Sequence, residues 1–166
     1  MQLYTIQNSE YPLSTHVLEL NKSKIHQKAL ELVQIKLLEL EAHYRDLLEG
    51  QSSNTKSTAG DKHDTEREMV QAELNNYSRQ IQAQKQNLNI LKSIDPTRKQ
   101  KVEQGALVQT ENGWFYLSIP LGKIDFDGEK VWLISLASPM GQALNGKKTG
   151  EKFELNGVEK EILDVL

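Results

Sequence analysis

The sequence predicts an α+β protein in which a long antiparallel coiled-coil hairpin precedes a small antiparallel β domain with one short helix. Two segments without proline repeat apolar residues at spacings of three and four, the signature of amphipathic helices. From residue 104 the pattern changes to short apolar and aromatic runs separated by Asn-Gly and Asp-Gly pairs, which favour hairpin turns. Apolar residues make up only 37% of the 166-residue chain. The mean hydropathy is −0.58, which suits a shape with much surface better than one compact globule.

Residues 1–20 contain Pro12, and Ser14 or Thr15 can start a helix there. From Lys22 to Glu49 there is neither Pro nor Gly, and Leu, Glu, Gln and Lys dominate, all strong helix formers. Ala29, Val33, Leu37, Leu40, Tyr44 and Leu47 form one stripe, widened by Leu32 and Leu48. Gly50 is a plausible stop. The segment 51–60 is small, polar and aperiodic and reads as a flexible loop. After Gly60, Val70, Leu74, Tyr77, Ile81, Gln84, Leu88 and Leu91 step by four and three as a heptad seam. Two seamed helices joined by a short loop fold back on each other. At 1.5 Å per residue each arm is roughly 40–48 Å long.

The chain thus divides into an N-terminal segment with the hairpin (1–93, tip at 50–64), a linker (94–103) in which Pro96 ends the helix, and a β domain (104–166). Strands are expected at 106–111, 113–118, 129–137, 151–155 and 158–165. The run VWLISLA within 129–137 lacks alternation and is expected to be central and covered on both faces. Ser138, Pro139 and Asn145-Gly146 mark the cap, first turn and end of a short helix. So small a β domain is expected to lean on the coiled coil.

Composition narrows function. The net charge is −3 and cysteine is absent, so there is no global basic field for duplex nucleic acid, no disulfide scaffold and no thiolate zinc site. Neither a signal peptide nor a membrane span is expected, and the chain reads as cytoplasmic. Gly141–Lys148 nearly spells a phosphate loop, but lacks Ser or Thr after the lysine and has its helix on the wrong side. His16, His26, His43 and His63 have no zinc spacing, and Asp125–Glu129 is too short for a calcium loop and reads as a turn. Trp114, Phe115, Tyr116, Phe126 and Trp132 are read as core rather than pocket.

The segment Ile134–Glu151, ISLASPMGQALNGKKTGE, resembles the signature of the Gre family of bacterial transcription elongation factors. The match covers a strand end, a Ser-Pro helix start, Ala-Leu, Gly-Lys, and Gly with an acid. The likeness implies an FKBP-like C-terminal domain that docks on RNA polymerase, with Ser138, Pro139 and Met140 at the contact. It also implies a coiled coil inserted into the polymerase secondary channel, where tip acids help the polymerase cleave backtracked RNA. The protein itself would have no catalytic residues. Gly60 and Asp61 coincide with the family's tip pattern, and Asp64 stands in place of its first Glu. Thr65, Arg67 and Glu68 replace Asn, the second Glu and Tyr.

Asp61 and Asp64 are accordingly candidate contacts for Mg²⁺ shared with the polymerase. Asp is also favoured in the first turn of any helix, so capping is an equal reading, as is a capping and core role for Ser138-Pro139-Met140. On this resemblance the partner is RNA polymerase, with nucleic acid met only inside that complex, no membrane contact and a monomer favoured. The alternatives are a binding-only occupant of the channel and an unrelated coiled-coil interaction protein.

Overall fold

The computed structural model describes residues 21–54 and 61–166, with side chains described over 21–50 and 65–166. The expected helix start at Ser14 or Thr15 lies outside the described residues. Helix α1 spans Lys22–Asn54 and α2 spans Asp61–Ser93, each of 33 residues and so about 50 Å long. Asn21, unremarked in the sequence, caps α1: its Oδ1 accepts from the Lys24 amide at 3.1 Å. Helix α1 does not stop at Gly50 but continues four residues further, to Asn54. A glycine inside a helix costs only about 1 kcal/mol relative to Ala, and Gln51–Asn54 do not contain a proline to enforce a break. The loop expected over 51–60 is therefore shorter at its start, and 55–60 lie outside the described residues.

The seam residues meet as their spacing requires. Ala29, Val33 and Leu40 of α1 and Leu74 and Leu91 of α2 are buried, while Leu37, Tyr44, Leu47, Val70, Tyr77, Ile81, Gln84 and Leu88 are half-buried. Leu48 is the exception, exposed rather than widening the stripe. Lys85 pairs with Glu41 across the helices at 3.0 Å, and the His43 and Tyr77 rings lie 5.9 Å apart. Burial deepens away from the tip and becomes complete at Ile25, Ala29, Val33 and Leu91.

The β domain holds six strands: β1 (Leu107–Thr110), β2 (Gly113–Leu117), β3 (Gly122–Phe126), β4 (Glu129–Ile134), β5 (Lys152–Leu155) and β6 (Val158–Val165). Helix α3 (Pro139–Leu144) lies between β4 and β5. The spatial order is β3-β4-β2-β1-β6-β5. Strand β3 was not expected. Its inward signal rests on Ile124 and Phe126 alone, and Asp125-Phe126-Asp127-Gly128 reads as a turn until its neighbours are known. Asp127 and Gly128, and likewise Asn156 and Gly157, do take the positive φ of tight hairpin turns. At Asn112-Gly113 the register differs, because Gly113 already pairs with Thr110 and Glu111-Asn112 make the turn.

The sheet is mixed rather than wholly antiparallel. After β2 the chain passes over one strand position, runs back as β3 at the edge, and returns as β4 into the gap. Strand β4 is therefore parallel to β2, with Trp114 opposite Val131 and Leu117 opposite Ile134. The strand covered on both faces is β2, not β4. Trp114 and Tyr116 enter one core; Leu117 and the half-buried Phe115 enter the other. Strand β4 alternates, with Val131 and Leu133 buried but Trp132 41% exposed, because the helical elements cover only part of its second face.

The first core joins the two halves of the molecule. Ile25, Ala29, Val33 and Leu91 of the hairpin base pack with Ile94, Leu107, Trp114, Tyr116, Ile119, Ile124, Val131, Leu133 and Leu166. The second core, under α3, unites Val102, Ala106, Val108, Leu117, Leu144, Phe153, Ile162 and Val165. Residues 94–103 are thus a packed connection, with Ile94 in one core and Val102 in the other. The Lys22 ammonium donates to the Thr97 carbonyl across the junction. Burial, and then the nearby Lys99, push that ammonium down to about 8.

Within the first core, His26 Nδ1 and the Tyr116 hydroxyl are hydrogen-bonded at 2.8 Å, and both groups are buried. Burial, reinforced by Lys22, lowers the His26 pKa below its ordinary 6.5, and burial raises that of Tyr116. Both rings are therefore held neutral. A lowered histidine pKa means that the unfolded chain binds more protons below pH 6.5, so stability must fall as the pH drops through that value. Urea titrations between pH 5 and 7.5 should show this loss in the wild type and much less of it in His26→Ala. Tyr116→Phe, which strands a buried ring nitrogen, should cost about 1–3 kcal/mol at pH 7.5, and Leu91→Ala about 2–5 kcal/mol.

Candidate functional site

Two regions carry the residues singled out in the sequence, and they lie on different elements. Asp61 opens α2 and Asp64 follows three residues later, so both belong to the first turn at the end of the hairpin farthest from the first core. Residues three apart on a helix are neighbours on its surface. Their side chains, with that of His63, lie outside the described residues. Thr65, Glu66, Arg67 and Glu68 make the next turn of the helix and are all exposed. Among the described residues no group of three or more His, Asp or Glu side chains comes together as a metal site.

The second region is the turn from β4 into α3. Ser138 has extended backbone and caps α3 through its side chain. Its Oγ accepts from the Gly141 amide at 3.0 Å and donates to the Ser135 carbonyl at 2.7 Å. The hydroxyl thus satisfies one group on each side of the turn. Met140 packs against the second core, while Pro139 and Ala137 are exposed. Gln142 Nε2 donates to the Ala137 carbonyl at 3.0 Å and braces the turn from outside. Of the three candidate contacts, Pro139 is exposed, whereas Ser138 and Met140 are half-buried and each engaged in holding the turn's shape.

The residue that sequence reasoning passed over is Gly141. A Cβ built on it would lie 2.1 Å from the Ser135 carbonyl oxygen and 2.9 Å from Leu136 Cα. Backbone occupies that space, so no side chain is admitted there. Its position three residues after the Ser cap, where the helix must lie hard against the end of β4, is the signal that a closer reading could use.

The phosphate-loop likeness of Gly141–Lys148 dissolves in the structure. The Gly146 amide donates to Val102 O, Lys147 to Leu144 O, and Gly150 to Ile162 O. The Lys148 amide donates to Glu151 Oε2 at 2.7 Å. Amides committed in this way cannot also cradle a phosphate. The aromatic residues do not converge either: Trp114 and Tyr116 lie on one face of β2, and Phe115 on the other.

No family model and no curated protein matches the chain. Among solved structures it is similar to the transcription factor Gfh1, at 17% identity and a TM-score of 0.34, over 82% of this chain and 92% of that one. A second similar structure is GreA factor homolog 1 (Gfh1) of Thermus thermophilus, at 17% identity and 0.32, over 89% and 96% of the two chains. A third is Gfh1 of Thermus aquaticus, at 19% identity and 0.30, over 87% and 93%. At such TM-scores nothing about the activity of this chain follows from them. Among the described residues no helix is long and apolar enough to cross a membrane.

The geometry of the β4–α3 turn makes two substitutions unequal. Ser138→Ala should cost about 0.5–2 kcal/mol, the loss of a helix cap. Gly141→Ala should cost more than Ser138→Ala, since the carbonyl of Ser135 has to move. Urea unfolding of both variants beside the wild type checks the order; equal losses would contradict the close approach at Gly141.

Proposed function

We propose that the protein is a Gre-like transcription elongation factor that docks on RNA polymerase through its β domain and places the tip of its hairpin in the secondary channel. The observation that carries this reading is the segment Ile134–Glu151, whose order of residues resembles the Gre signature over a strand end, turn and helix. The hairpin supports it mechanically. Two packed 33-residue helices make a rod of about 50 Å, rooted in a core shared with the docking domain. A rod so anchored can hold its end at a fixed place inside a partner.

In this reading Asp61 and Asp64 do not form an active site of their own. Two carboxylate side chains offer the hard oxygen donors that Mg²⁺ prefers, yet too few to satisfy it alone, so Asp61 and Asp64 would hold the ion together with groups of the polymerase. Bound there, it would supply an activated water and positive charge for cleavage by the polymerase. The protein's own contribution is to bring the two acids on one helix turn to that place and to exclude other occupants of the channel.

A second reading has its own support. Arg67 stands where the Gre pattern has its second Glu and is exposed, which puts a cation beside the tip acids. That substitution favours a binding-only regulator, occupying the channel without promoting cleavage.

Stalled elongation complexes with Mg²⁺ separate the two. A cleavage factor shortens the transcripts, and the double variant Asp61→Ala/Asp64→Ala loses that effect while still binding polymerase. If the wild type binds but shortens nothing, the regulator is correct. If it does not bind polymerase, both readings fail and an unrelated coiled-coil partner must be sought.

A further inference from the structure

Helix α1 carries a second apolar stripe, left open among the described residues. Leu38 is 66% exposed and Ile35 is 54% exposed, and the half-buried Ala42 follows four residues after Leu38. With about 3.6 residues per turn, these three lie roughly opposite the seam of Val33, Leu37, Leu40 and Tyr44 that packs on α2. The large apolar residues exposed on α2, Met69 and Ile90, stand far apart along that helix, as isolated surface residues commonly do. On α1 they adjoin.

The stripe has the spacing of a coiled-coil seam. Ile35, Leu38 and Ala42 form its centre, with Lys28 and Glu31 before them and Arg45 and Glu49 after, all at alternating steps of three and four. Leu38 is also the midpoint of α1, which spans Lys22–Asn54.

The order of charges selects an orientation. In an antiparallel pair of α1 helices with the two Leu38 side chains at the crossing, Ile35 meets Ala42, Glu31 meets Arg45 and Lys28 meets Glu49, each twice. In a parallel pair every one of these charges faces its own like. At the margins, Lys36 and Glu39 are paired within the helix at 3.6 Å and also fall opposite each other in the antiparallel register. Glu41 is engaged by Lys85 of α2. Lys24 and Asp46 complete the face, which holds Lys24, Lys28, Lys36 and Arg45 against Glu31, Glu39, Asp46 and Glu49. Such a balance brings no net repulsion between copies.

We propose that the outer face of α1 is a homodimer interface, in which two copies pack antiparallel about a two-fold axis at Leu38. The occupant is a second copy because the stripe is complementary to itself. A two-fold contact requires that residue i meet j while j meets i, and the order of charges along α1 fulfils this. Ile35, Leu38 and Ala42 of both copies supply an apolar centre, and the charged pairs a polar rim. Each hairpin tip then lies beside the β domain of the other copy. The dimer differs from the monomer that the family resemblance implies, and it does not depend on the polymerase reading.

Sedimentation equilibrium of the full-length protein over a wide concentration range tests this. The wild type should pass from monomer to dimer as its concentration rises. Leu38→Asp, which sets two carboxylates together at the axis, should weaken the dimer about tenfold or more. Its far-UV circular dichroism should match the wild type, since Leu38 is exposed. Glu31→Lys and Arg45→Glu should each weaken the dimer. An equimolar mixture of these two variants should associate more tightly than either alone, because their heterodimer sets opposite charges together at both places.

A wild type that stays monomeric throughout would overturn the interface and leave the stripe to residues 1–20 or to another protein. A dimer that Leu38→Asp does not weaken would put the contact on another face and overturn it too. A dimer weakened by Leu38→Asp, with no gain in the mixture, would overturn the antiparallel arrangement.

Discussion

The structure depends on a single packing event, the burial of the hairpin base against the first face of the sheet. A six-stranded sheet of so few residues has two faces to cover, and α3 with Val102 and Ala106 covers only the second. Ile25, Ala29, Val33 and Leu91 supply the missing layer. The exchange is mutual. A two-helix hairpin with partly polar seam positions such as Gln84 has little core of its own, and its deepest burial comes where the sheet meets it. Neither half has a complete core without the other.

Polar groups at this junction add direction to the apolar packing. The bond between His26 and Tyr116 fixes α1 to the central strand β2 at one point. The Lys22 ammonium ties the start of α1 to the carbonyl of Thr97 in the connecting segment. Both bonds require desolvation of an ionisable side chain, which is why the pKa values of Lys22 and His26 are depressed. Such groups add little net stability but allow few alternative arrangements. The proposed function, in which the hairpin presents its far end at a fixed place, needs that kind of root.

Much of this was legible in the residues. The helical seams, the Ser138 cap, the end at Asn145-Gly146 and five of the strands follow from periodicity and turn chemistry that act within a few residues. What was not legible depends on distant partners. Strand β3 is recognisable only once β4 is there to pair with it, and the parallel β2–β4 contact follows from that insertion. The extension of α1 through Gly50 reflects the small cost of one glycine in a long helix. The exposure of Trp132 depends on where α3 ends across the sheet, which no local pattern encodes. At the β4–α3 turn the sequence marks Ser138 and Pro139, while the tightest constraint, at Gly141, comes from the backbone of Ser135 and Leu136.

The central claim is that hairpin and sheet form one cooperative unit through the first core. Urea unfolding followed by two probes tests it most directly: far-UV circular dichroism for the helices, and fluorescence for Trp114, buried in that core and far more sensitive to unfolding than the exposed Trp132. Coincident transitions with one midpoint are the predicted result. A fluorescence transition that is complete while the helical signal persists, or the reverse, would show two independent halves and contradict it.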